Sequence, residues 1–338
     1  MLIRNRLFVY GKRFIETEKK NKRRITEGEL IKVLQLLGAK KGSILLLHIS
    51  LSNLGLSILD VKWLLEVLWK VIGEDGTIVM PTFTYRQIKT SGSVFDVNKT
   101  RSDLGWTSEY FRCQSGVMRS VHPTHSVAAK GKFAFEITRH RRDSLTPFAR
   151  GTPYDILYQR NALILFLGKS PRINTFYHAV EEWSDFPFLY EEDIYPMKVF
   201  DGKEEYYIHT KIHNLYWNRR FIEGLLLKKG ILLRCKEFKE YNLYAASSRD
   251  LVDFILSKQK GDNYFFTENI YQVIFNICIE SMRNLFAVIF GEVKYRTKIQ
   301  LTEKIKFQYK KYIYLMTRFS RKINGESSRK MIRWRGKW

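Results

Sequence analysis

Ser43-Ile44-Leu45-Leu46-Leu47-His48 and Thr77-Ile78-Val79-Met80-Pro81 are two apolar runs of strand length, and the segment between them decides the fold. From Val61 to Ile72 apolar residues recur at helical spacing, and Gly73 follows as a stop. Strand, helix and strand within about forty residues make a crossover unit, which predicts two parallel strands in one sheet. Side chains just past the carboxyl ends of such strands line the edge where an open sheet binds ligands. His48, Ser50, Ser52, Thr82 and Thr84 fall at that edge.

Upstream, Thr26-Glu27-Gly28-Glu29 has the form of a capping box, and Leu30, Val33, Leu34 and Leu37 continue at helical spacing to Gly38. Downstream, residues 85–118 read as a long loop with a short helix near Ser108 to Phe111. Ser126 to Ala129 and Leu163 to Leu167 are further strands, separated by a rigid, turn-rich loop from Pro147 to Tyr154. Thr175 is placed to cap a helix that sets His178 and Glu181 three apart on one face. Residues 186–245 read as strands around a helix near Lys211 to Glu223, and Arg249 to Ile255 as a last core helix. Past Tyr264 the character changes. Gln272, Asn276, Glu280 and Asn284 recur every four residues through the apolar segment Ile270 to Phe290, a helix with a narrow polar stripe. The organisation expected is a basic leader (1–26), a main domain (27–258) and a helical, basic C-terminal extension (259–338).

The charge follows that division. Of the net +24, residues 1–24 hold nine Lys/Arg against two Glu and residues 292–338 fifteen against three, so residues 25–291 carry only +5. Basic ends attract polyanions, either nucleic acid or an anionic membrane surface. Nucleic acid is disfavoured as a partner because no organised recognition motif accompanies the charge. The apolar-faced helix is most simply a brace on the protein's own core or a partner subunit, and beside a basic tail a membrane surface is the alternative. No apolar run reaches the roughly 20 residues needed to cross a bilayer, and the start lacks the apolar centre of a secretion signal. Cys113, Cys235 and Cys278 are odd in number and widely spaced, which suggests neither a disulfide framework nor a zinc site and points to a reducing cytoplasm.

Four of the seven histidines gather in three places: His48, then His122 and His125 within Arg119-Ser120-Val121-His122-Pro123-Thr124-His125-Ser126, then His178. With their surroundings these residues resemble the aminoglycoside 3-N-acetyltransferase family. The resemblance is carried by His48-x-Ser50-Leu51-Ser52, Gly73-x-x-Gly76-Thr77-x-x-Met80-Pro81-Thr82-Phe83, Arg119-Ser120-x-His122-Pro123-x-x-Ser126 to Gly131, Pro147-Phe148 to Tyr154, and His178-x-x-Glu181. Tyr244 to Asp253 resembles the family's closing helix, so the likeness covers roughly residues 27–258.

The resemblance implies an α/β fold with a mixed sheet sandwiched between helices, acetyl-CoA as donor, and a primary amine of an aminoglycoside, amino sugar or aminocyclitol as acceptor. It implies His178 as general base and Glu181 as its orienting partner. An alkylammonium cannot attack a thioester until it loses a proton, which an imidazole near its working pH can take. Ser50, Leu51, Ser52, Thr82, Arg119, Ser120, His122 and Ser126 are the candidates for holding the donor. Among them Ser50, Thr82, Ser126 or backbone amides after His48 can face the thioester oxygen. Arg119 either meets a CoA phosphate or holds its loop. His122 is equally a core histidine, and His125 reads as incidental. No metal is expected. Ile49 stands where family members usually have serine, which removes a polar contact near the pantetheine arm. Antibiotic resistance and surface-polysaccharide synthesis are both open roles. The mild positive charge of the main domain leans toward an anionic or neutral amino sugar, since polycationic drugs favour an acidic cleft.

Overall fold

The computed structural model describes residues 23–84, 93–139, 142–184, 189–213 and 222–260. Contacts divide the chain into one unit of residues 1–213 with 221–263 and another of 214–220 with 264–338; all described residues belong to the first. The start of the basic leader and the apolar-faced segment Ile270 to Phe290 with its basic tail lie outside the described residues. Among those described, no helix is long and apolar enough to cross a membrane.

The chain opens with α1 (Glu27–Leu36), β1 (Ile44–Ile49), α2 (Val61–Ile72) and β2 (Thr77–Pro81). β3 (Val94–Asp96), α3 (Trp106–Arg112), β4 (Met118–Arg119), β5 (Val127–Gly131) and α4 (Ala134–Thr138) follow. Then come α5 (Pro153–Gln159), β6 (Leu163–Leu167), α6 (Phe176–Trp183), β7 (Tyr190–Phe200) and β8 (Glu205–His213). α7 (Glu223–Lys228), β9 (Leu232–Arg234), β10 (Leu243–Ser247) and α8 (Ser248–Gln259) complete it.

The crossover reading holds: β1 and β2 pair in parallel, Ile44 opposite Thr77. β6 adds in parallel on the other side of β1, and β5, β10, β4 and β9 run antiparallel to their neighbours. The result is a mixed seven-stranded sheet ordered β4-β5-β2-β1-β6-β10-β9, beside a smaller sheet β3-β7-β8. Leu45, Leu46 and Leu47 are each at most 2% exposed, as expected of a central strand covered on both faces. Alternation sends Leu45 and Leu47, with Ile78, Met80, Leu165, Leu167 and Ala245, into one core under α1 and α2. His48, Val79, Ile164 and Phe166 turn to the opposite face, where α4 packs on β5 and β2, and α8 on β10, α5 and α6.

Thr26 and Glu29 close the expected capping box, each side chain bonded to the other's backbone N–H. Gly131 explains itself through β2. At φ +119 it pairs with Thr77, and a Cβ there would run into the Gly76 carbonyl. Three expectations need correcting. The Pro147 to Tyr154 loop ends early, because Pro153 takes the first position of α5, where a fixed φ and a missing N–H are harmless. The helix expected near Lys211 to Glu223 is displaced: pairing with β7 carries β8 on to His213, and α7 starts at Glu223. The loop of residues 85–118 also holds β3, and its helix spans Trp106–Arg112.

Candidate active site

α6 begins where Asn174 turns the chain. Its Oδ1 accepts the Phe176 N–H at 3.0 Å, while Thr175 already has helical backbone angles and makes no side-chain cap bond. The cap assigned to Thr175 therefore belongs to the preceding side chain, which accepts the Phe176 N–H. In the first turns, His178 Nδ1 lies 3.3 Å from Glu181 Oε2, with 14% of the histidine side chain exposed and 5% of the glutamate's. A carboxylate at Nδ1 leaves the lone pair of the neutral ring on Nε2.

The loop before α5 forms one wall. Phe148 stacks on His178 with 5.2 Å between centroids and 28° between planes. Trp183 donates its indole N–H to the Phe148 carbonyl at 2.8 Å, and the Thr146 hydroxyl donates to Glu182 Oε1 at 2.5 Å. The Tyr190 hydroxyl donates to Glu182 Oε2. Burial, then the Glu182 charge, hold that phenol well above its ordinary range, so it remains a donor. The wall is thereby tied to the helix that carries the histidine.

His125 forms the other wall. Although the sequence reads it as incidental, it is 5% exposed and its ring lies 6.1 Å from His178 and 6.2 Å from His122. His122 Nε2 meets Thr210 Oγ1 on β8 at 3.2 Å, and its Nδ1 accepts the backbone N–H groups of Thr124 and His125 at 3.3 Å each. Its ring nitrogens are thus engaged by the fold itself.

The remaining predicted residues separate into two groups. Thr82, Arg119 and Ser126 form a knot. The Arg119 Nε–H donates to Thr82 Oγ1 (3.2 Å) and Ser126 Oγ (3.0 Å), while its terminal nitrogens donate to the carbonyls of Val97 (3.2 Å), Thr100 (2.5 Å) and Thr82 (2.8 Å). Of the two roles offered for Arg119, loop-holding matches these contacts. Burial first, then nearby Arg112, push its pKa down to about 9, and the five acceptors offset that cost. Ser120 is buried and its Oγ accepts the Val127 N–H at 2.9 Å. Ser50 and Ser52 stand at the exit of β1, their hydroxyls 3.4 Å apart, on the accessible side of the turn. Leu51 is buried in the core under α1 and α2, and Ile49 packs against that same core.

His48 was expected at the ligand edge. Instead it lies within β1, 7% exposed and stacked on Phe166 at 5.1 Å, with Nε2 unpartnered. Thr82 and Thr84 are likewise buried, Thr84 donating to the Pro123 carbonyl. Burial, helped by Lys169, lowers the His48 pKa from 6.5 to about 3. Between those pH values the unfolded chain binds a proton that the folded protein refuses. This contribution to stability is therefore intact above pH 6.5 and declines as pH falls toward 3. At pH 5 the loss is about 2 kcal/mol. His48→Phe keeps a ring on Phe166, and urea melts at pH 7 and 5 should show less acid destabilisation than in the parent. Equal acid sensitivity in both proteins would count against it.

A family model described as aminoglycoside 3-N-acetyltransferase matches residues 46–259, from β1 to the end of α8. The chain belongs to that family. Relatives include the SPbeta prophage-derived aminoglycoside N(3')-acetyltransferase-like protein YokD of Bacillus subtilis (strain 168), 30% identical over 178 residues, covering 46% of this chain and 64% of that protein. The aminoglycoside N(3)-acetyltransferase IV of Salmonella sp is 29% identical over 164 residues, 48% of this chain and 60% of that protein. Both alignments span less than two thirds of the relative's length. The solved structure of AAC-IIIb with CoASH shares the fold, with a TM-score of 0.62 at 18% identity over 73% of this chain and all of that one. Within this family, the chain's mixed sheet between helices is the expected architecture.

Proposed function

We propose that the chain is an acetyl-CoA-dependent N-acetyltransferase acting on a primary amine of an aminoglycoside or amino sugar, with His178 as general base. The observation that supports this most is the 3.3 Å contact between His178 Nδ1 and Glu181 Oε2 on α6. Glu181 holds the tautomer and stabilises the imidazolium formed when Nε2 takes the ammonium proton. Acetyl-CoA, the donor substrate, supplies the activated acetyl group. Ser50 and Ser52, accessible beyond β1, suit polar contacts to that donor, and Ser50 or the backbone amides after His48 suit its thioester oxygen. Thr82 and Ser126 suit this less, because their hydroxyls already bond each other and the backbone.

A second reading concerns the acceptor. The +5 charge of residues 25–291 favours an anionic or neutral amino sugar, nucleotide- or lipid-linked, over a polycationic drug. The basic extension from residue 259 would then sit against an anionic membrane face in the cytoplasm.

One assay addresses both. Acetyl-CoA consumption is measured with gentamicin, apramycin and sisomicin, aminoglycosides found in complex with solved members of this fold, and with amino-sugar nucleotides. Turnover of one acceptor, with CoA raising the melting temperature, is the expected result. Faster turnover of amino-sugar nucleotides favours the second reading. No consumption with any amine and no stabilisation by CoA would remove both.

A further inference from the structure

We propose that His125 is a positioning residue that holds the His178 ring in place for proton transfer. The inference rests on His178 being the base, as proposed above, and adds a residue that does not touch the reacting atoms. His125 meets four rings edge-on: Phe83 at 4.6 Å, Phe148 at 5.1 Å, His178 at 6.1 Å and His122 at 6.2 Å. Phe148 stacks on His178 at 28° while His125 meets His178 at 71°, so the two make adjacent walls of one socket. A stacked ring alone can slide; a second ring set across it stops the slide.

The His125 ring is itself anchored. Its Nδ1 lies 2.6 Å from Thr124 Oγ1, and that oxygen lies 3.2 Å from His122 Nδ1. His122 Nδ1 accepts two backbone N–H groups, so its proton sits on Nε2 and goes to Thr210 Oγ1 at 3.2 Å. Thr210 Oγ1 reaches the Leu145 and Lys211 carbonyls at 3.3 and 3.2 Å. The line therefore runs from the backbone of β8 through Thr210, His122 and Thr124 to His125, whose ring abuts that of His178. His125 and Thr210 are 5% and 0% exposed, so water does not compete for these bonds.

The test uses the full chain, with His125→Ala, Thr124→Val and Thr124→Ser. A displacement near 1 Å costs about 100-fold in rate, so His125→Ala should lower kcat about 10- to 100-fold with KM for acetyl-CoA nearly unchanged. Thr124→Val should lose about 3- to 10-fold, and Thr124→Ser, which keeps the hydroxyl, should recover most of that. The imidazole resonance of His178, assigned by its absence in His178→Ala, should shift or broaden in His125→Ala and Thr124→Val. That readout needs no acceptor. An unmoved His178 resonance with parental kcat in folded His125→Ala would overturn the proposal, as would equal losses in both Thr124 variants. If His125→Ala does not fold, the Thr124 pair decides. Unimpaired turnover by His178→Ala would instead defeat the reading of the base, and the resonance would still report on the socket.

Discussion

Replacing His178 with alanine is expected to lower kcat about 100- to 10,000-fold while leaving KM for acetyl-CoA close to the parental value. The size follows from the chemistry: without a base, the ammonium form of the acceptor dominates and has no lone pair for the thioester. The pattern follows from the geometry. His178 pairs with Glu181 on α6, while Ser50 and Ser52, proposed to contact the donor, lie beyond β1. A base used only in the transition state affects kcat and kcat/KM alike. Steady-state kinetics at saturating acetyl-CoA measure the effect, and a CoA-induced rise in melting temperature checks that the donor site is intact. A variant that turns over like the parent would require a different base.

The second large effect concerns stability. Arg119→Met is expected to destabilise the ligand-free protein by about 3–5 kcal/mol, because three carbonyl and two hydroxyl oxygens lose their donor together. For a domain of this size the melting temperature should fall about 10 °C. Lysine should not rescue it: an ammonium on a flexible stem cannot reproduce the planar fork that spans Thr82, Ser126, Val97 and Thr100. Thermal melts without ligand decide the matter. An unchanged melting temperature with weakened CoA affinity would favour the other role open to Arg119, contact with a CoA phosphate.

Much of the first half of the fold was readable because its signals are local. Thr26 and Glu29 sit three apart, and Val61 to Ile72 carries its stop in the next residue. Short-range chemistry sets such boundaries, and the structure follows them. Two misreadings were local, Pro153 opening α5 and Asn174 rather than Thr175 capping α6, but the helix misplaced near Lys211 is one that a distant partner decides. Lys211 continues a strand because β7 offers it pairing and the Leu145 carbonyl takes its N–H. For Arg119 the sequence leaves a phosphate contact and a loop-holding role open, and only the fold brings the carbonyls of Val97 and Thr100 round to meet it. The same holds for the site. His178-x-x-Glu181 is visible as spacing on one helix, but His125 becomes its neighbour only when residues more than fifty positions apart are folded together. His48 erred in the other direction: a histidine at the end of an apolar run reads as lying at the sheet's ligand edge, yet the strand's alternation buries it against Phe166.

The placement of α8 has a consequence for biosynthesis. α6 and α5 both pack against α8, and β10, which leads into it, completes the flank of β6. A nascent chain that has emerged only to residue 247 contains His178 and Glu181 but not the buttress behind them. Acquisition of a competent enzyme during translation must therefore wait until about residue 260 clears the ribosome tunnel, well after the pair itself has been synthesised.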